Sequence, residues 1–279
     1  MMNTKAIELS AGPPAIPVAE RYRALIYRRW LLLAALGLTV LALVVADLTT
    51  GPAAFGVKDV LGGLFNPEQL SKAQTVILWD IRLPYALMAV LVGGCLGLAG
   101  AEMQTVLNNP LASPFTLGVA SAACLGAALA IAFGGAVAFI PPNLLVPLAA
   151  FIFAAASTML IQLLARFYGA GVGTLVLFGI AVYFTMNSLI WLVQYVASAD
   201  TVQQIVFWTM GSLARATWGK LAIVAAVLAI CLPLALRSVW VLTTLRSGED
   251  HARSLGKAVD RLRMRVLLRA SLLTGVAIA

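Results

Sequence analysis

Few residues in this chain could do chemistry in an apolar setting, and Glu102 is the first of them. It lies well inside an apolar run, five residues before Leu107. A charge there costs about 2.5–3.5 kcal/mol on insertion scales, so such a residue has a partner or a task. Two readings stay open. Glu102 lines a path, with Gln104 beside it, or it is a packing group, protonated or hydrogen-bonded to Gln104 or a neighbouring helix. Cys95, Cys124 and Cys231 are far apart in apolar stretches, with no C-x-x-C. They read as small packing residues. His251 is the only histidine, and with no thiol cluster near it no metal site is expected. The string G-x-x-x-x-G-K-[ST] is absent, as are H-E-x-x-H and G-x-S-x-G. The chain is therefore expected to be no enzyme, to have no catalytic residue and to bind no ATP or other cofactor itself.

A second candidate is the charged stretch 237–263. It is amphipathic, and Gly248 and Gly256 bracket a short helix-like run. The glycines predict two short helices joined by a turn. Such a segment either lies on anionic lipid or receives a partner on its polar face. The run Asn108-Asn109-Pro110-Leu111-Ala112-Ser113-Pro114 predicts a tight helix-breaking turn.

The elements that position these residues follow from composition. Of 279 residues, 62% are hydrophobic and 11% are charged, where soluble domains carry about 25% charge. Mean hydropathy is +0.97. This excludes a soluble enzyme, a disordered chain and a disulfide scaffold, and leaves an all-α polytopic membrane protein. Residues 1–29 read as a cytoplasmic tail ending in Arg21, Arg23, Arg28 and Arg29. An uncleaved signal-anchor fits the first apolar run better than a cleaved signal peptide. Spans are expected at 30–46, 83–107, 115–133, 143–165, 174–197 and 217–236, with a seventh starting near Met264 and cut short at Ala279. Residues 47–82 form the long external loop. With the N-terminus inside, thirteen Lys and Arg residues fall inside and five outside, which supports that orientation. The formal charge of +8 thus reflects membrane orientation, and no nucleic acid is expected as a partner. Gly93, Gly97 and Ala101 share one helix face, and Gly118, Ala122, Gly126 and Ala130 another, as close helix packing in lipid requires.

Several motifs in register carry a family resemblance. They are Trp79-Asp80-Ile81-Arg82-Leu83-Pro84, Gly100-Ala101-Glu102-Met103-Gln104, Asn109-Pro110-Leu111-Ala112-Ser113-Pro114 and Leu117-Gly118-Val119. Further on come Leu177-Phe178-Gly179-Ile180-Ala181, Trp208-Thr209-Met210-Gly211-Ser212-Leu213 and Gly248–Gly256. In order and spacing, over about residues 30–279, this resembles the FecCD-type permeases. These are membrane subunits of bacterial ABC importers for iron–siderophores, haem and cobalamin.

The resemblance implies a permease in the bacterial cytoplasmic membrane that pairs with a second permease subunit, in a homo- or heterodimer. A cytoplasmic ATPase holding ATP–Mg and a periplasmic or lipid-anchored substrate-binding protein complete the importer, with membrane lipid around it. It further implies that Gly248, Glu249, Ala252, Arg253, Leu255 and Gly256 receive the ATPase stroke. Arg82 matches an outward-facing arginine that meets the binding protein, with Tyr85 where a second arginine is usual. Gly171, Val172 and Gly173 match an inner gate, and Glu102, Gln104 and Asn109 fall beside the path. An iron–siderophore is the expected cargo. The alternatives are a secondary transporter using Glu102 and a non-functional fragment. The family has roughly ten spans per subunit, so the chain is expected to be C-terminally truncated and not to transport alone.

Overall fold

A computed structural model describes residues 18–51, 56–66, 68, 70–136, 140–168, 172–246, 248–256 and 258–278. Described elements are helical, in two compact units divided after Gly62. The first unit holds α1 (Val18–Thr49). This helix starts twelve residues ahead of the expected span, so Arg23, Arg28 and Arg29 belong to the helix itself and not to a tail. Its alanine and leucine content has high helix propensity, and nothing between Val18 and Trp30 breaks it. The short α2 (Val57–Phe65) carries Asp59 in its first turn, and its Oδ2 accepts from the Gly56 N–H at 2.9 Å.

The long external loop expected over 47–82 is largely helical among its described residues. A capping box starts α3 (Lys72–Thr75): the Ser71 N–H donates to Gln74 Oε1, and the Gln74 N–H to Ser71 Oγ. Such a pair satisfies two otherwise orphaned N–H groups. The chain then runs through a π-helical segment, Val76–Arg82, into α4 (Leu83–Val106). The π geometry has a visible cause. The Leu83 N–H donates to the Leu78 carbonyl, five residues back. Pro84 comes next and has no N–H, so the Trp79 carbonyl loses its turn partner. Trp218 Nε1 supplies a replacement at 3.0 Å. The Trp79 indole in turn donates to the Gly63 carbonyl at 3.2 Å.

The remaining helices are α5 (Val119–Phe133), α6 (Pro142–Phe167), α7 (Val172–Val196), α8 (Ala199–Met210), α9 (Trp218–Arg246), α10 (Glu249–Ser254) and α11 (Val259–Ile278). Ser198 caps α8, which lies between the expected spans 174–197 and 217–236. α5 packs against α6, α7 and α8, while α11 packs against α4, α5, α6 and α9. Ala122, Ala123, Ala127 and Ala128 of α5 are fully covered.

Among the described residues five helices are long and apolar enough to cross a membrane. They correspond to the expected spans one, two, four, five and six. The expected third span is the 15-residue α5, about 22 Å long at 1.5 Å per residue. The seventh begins at Val259, not Met264, and carries Arg263 and Arg269 buried among its neighbours. Hydroxyls on the apolar helices bond their own backbone, as Thr105 does to Ala101, Thr185 to Ala181 and Thr243 to Val239. This removes the cost of an unsatisfied group in hydrocarbon.

Candidate functional site

The α9–α11 connection is the most constructed part of the surface. The sequence suggested two helices over 237–263, but α9 runs on through Arg246 and only α10 stands apart. The apolar Val239–Leu242 run continues the α9 pattern and explains the difference. Gly248 before α10 has φ 118° and Gly256 after it φ 72°. An L side chain rarely adopts either value, so the two glycines fix where α10 starts and stops. Ala252 is fully buried in the main core and seats the helix. Its N–H donates to the Gly248 carbonyl, and the Gly256 N–H to the Arg253 carbonyl.

Glu249 then clamps α10 to α11. Its Oε1 accepts from Arg253 at 2.8 Å and its Oε2 from Arg263 at 3.0 Å. Asp260 lies 3.6 Å from Arg253 and 3.7 Å from Arg263. Partial burial alone raises the Glu249 carboxyl. Hydrogen bonds and charge from Arg253 and Arg263 outweigh that and hold the group below its ordinary 4.5. A carboxylate lowered on folding stabilises the folded arrangement above its unfolded value, and that contribution is lost as pH falls through the folded one. A spin label at Ser254→Cys should therefore keep constant mobility from neutral pH down to 4.5 and loosen only below it. Loosening already near about pH 6, the histidine range, would contradict the clamp. Leu255 and His251 remain exposed.

Glu102 has a partner that the sequence reading missed. It is 4% exposed, and Arg269 of α11, 167 residues on, is 9% exposed. Arg269 Nε donates to Glu102 Oε2 at 2.6 Å, and Nη2 donates to Oε1. This two-point geometry is the strong form of a carboxylate–guanidinium contact. Gln104 is exposed and does not share that buried position. Its carbonyl accepts from the Asn109 N–H at 3.0 Å. Asn109 Oδ1 accepts from the Leu111 N–H at 2.9 Å, an Asx turn. Asn109, Leu111, Phe115, Thr116, Tyr183 and Phe184 line an apolar cleft of about 440 Å³ between this turn and α7.

Two of the quoted motifs meet beside the cleft. A Cβ on Gly179 would lie 2.8 Å from the Leu117 Cα, and one on Gly118 2.8 Å from the Tyr183 nitrogen. Backbones of the α5 entrance and α7 thus touch directly. Of the proposed gate residues, Gly171 lies outside the described residues, Val172 opens α7 and Gly173 is exposed with open space beside it. Arg82, expected to face outward, is 9% exposed at the π–α4 junction. Among the described residues no cluster of three metal-ligating side chains occurs.

Comparison with known proteins gives this geometry a context. The FecCD transport family model matches residues 38–279. The hemin transport system permease protein HmuU of Yersinia pestis is 32% identical over 205 residues, 72% of this chain and 60% of that protein. The vitamin B12 import permease BtuC of Vibrio vulnificus is 30% identical over 76% of this chain and 63% of its own length. The molybdate permease MolB of Haemophilus influenzae is 27% identical over 87% and 72%. A solved inward-facing structure of a metal-chelate-type ABC transporter superposes with a TM-score of 0.75 at 28% identity, covering 88% of this chain and 75% of that one. The chain spans about 60% of the length of the first curated relatives it matches. With its apolar helices it is a multi-pass protein of the cytoplasmic membrane. A family match over nearly the whole described membrane region, together with a shared fold, places the chain in the FecCD transport family.

Proposed function

We propose that this chain is a permease subunit of an ATP-driven importer and that α10 is its seat for a cytoplasmic ATPase. The observation that carries this is the construction of α10. Two positive-φ glycines delimit it, Ala252 roots it in the core, and Glu249 locks it to α11. A helix lying only on lipid has no need of such anchoring, whereas a surface that transmits force does. His251, Arg253, Ser254 and Leu255 are exposed and available for contact.

In this reading ATP–Mg stays in the partner, a binding protein delivers cargo from outside, and a second permease subunit completes the pathway. The N-terminus and α10 face the cytoplasm. The cargo is an iron–siderophore-type chelate. Relatives named for hemin, vitamin B12 and molybdate set the competing substrates. A secondary transporter with Glu102 as its ion site is disfavoured, because Arg269 already occupies that carboxylate.

The test is capture from native-host membranes through an N-terminal tag. The expected result is a stoichiometric ATPase with a phosphate-cradling loop, lost in Leu255→Asp. Leu255 is a better probe than Glu249, whose change also unlocks α10 from α11. Absence of any ATPase from folded wild-type chain overturns the importer reading. Uptake of an iron(III) hydroxamate chelate, compared with haem, cobalamin and molybdate, then decides the cargo.

A further inference from the structure

α11 carries two buried arginines that serve different neighbours. Arg263, near its start, holds Glu249 of α10. Arg269 lies six residues on, about 9 Å along the axis and about 120° around it. It grips Glu102 of α4 at two points. Val266, Leu267 and Ala270 between and beside them are buried, while Arg261, Met264, Arg265 and Leu268 form the exposed face of the helix. Glu102 is four residues from the end of α4, where the chain turns through Asn109 into α5. That turn is itself tied to α4 through the Asn109 N–H and the Gln104 carbonyl.

Two separate polar contacts therefore tie α11 to its neighbours, Arg263 to Glu249 of α10 and Arg269 to Glu102 of α4, and the backbones of α11 and α4 join them to each other and to the turn at Asn109. Apolar side chains of similar volume would hold α4 and α11 together at least as firmly as a buried ion pair. What a two-point guanidinium–carboxylate contact adds is direction: it fixes both distance and plane. Apolar faces resist sliding far less.

We infer that Glu102 and Arg269 are positioning residues that make α4 and α11 move as one body, so that displacement of α10 reaches the turn at Asn109. The inference rests on the importer reading and adds a route of transmission to it. It assigns Glu102 a mechanical task and no contact with cargo.

The experiment uses the importer captured with its ATPase, in proteoliposomes, with a spin label at Leu111→Cys on the turn. The signal is the change in label mobility on adding ATP and vanadate. In the double variant Glu102→Leu/Arg269→Met the ATPase should still bind and hydrolyse ATP, while the response falls about tenfold, within the usual range of coupling between sites. Arg269→Lys keeps a cation and loses the planar two-point grip, so its response should fall about threefold. A full response in either variant overturns the inference, as does an unresponsive label in a wild-type complex that contains the ATPase. A wild-type chain that captures no ATPase removes the importer reading itself, and the two failures are thus distinct.

Discussion

Arg269→Met alone should empty the membrane of most folded chain, and adding Glu102→Leu to the same molecule should bring it back. Removing the arginine leaves a carboxylate that is 4% exposed with no counter-charge. Breaking one side of a buried pair costs about 3–5 kcal/mol. At about 1.4 kcal/mol per decade, that lowers the folded-to-unfolded ratio by about 10²–10⁴. Purified variants should melt about 10 °C or more below wild type. Replacing both partners by apolar side chains removes the unpaired charge and keeps the volume, so the double variant should melt within a few degrees of wild type. Thermal melting in detergent, read by the recovered monodisperse fraction, checks both. If single and double variants fall equally, packing of the arginine stem matters and its charge does not.

That pair also shows what was legible in the sequence and what was not. Glu102 stood out because a carboxylate in an apolar run needs a partner or a task. Arg269 did not, because its helix was read as a span cut short, and the partners are 167 residues apart. Charge balance was the available signal: a stray acid in one apolar helix calls for a stray base in another. The long apolar runs were readable because length and continuity decide them. The region before α4 was not. Gly62, Gly63 and Pro67 suggested loop, whereas Ser71 and Gln74 form a capping box that starts a helix at Lys72. The π segment before Pro84, which has no N–H, and the Trp218 bond to the Trp79 carbonyl are not revealed by spacing. The exposed Gly93–Gly97 face and the buried Gly126 face looked alike in sequence. Only the neighbours distinguish them.

Those two faces give the second large expected effect. Gly126→Val should abolish folding, and Gly97→Val should not. A Cβ at Gly126 would lie 2.5 Å from the Ala149 carbonyl oxygen and 2.8 Å from its carbon, with the Phe153 Cβ at 2.9 Å. The obstacle is the backbone of α6, which cannot rotate away as a side chain can. Relief requires moving α6 bodily, yet α6 also carries Ala154 against Gly275 of α11 and Thr158 bonded to Ser271. The strain therefore spreads through α5, α6 and α11 together. Forcing even one methylene into a packed core costs about 1–3 kcal/mol, and a branched side chain against backbone exceeds that. Gly97 has nothing within 4 Å of its Cβ position, so valine there should leave stability within about 0.5 kcal/mol. The readout is again melting and monodisperse yield in detergent, with Gly126→Ala as the graded intermediate. Equal behaviour of Gly126→Val and Gly97→Val would mean that α5 and α6 do not cross in backbone contact. The centre of the bundle would then be held by something other than its small residues.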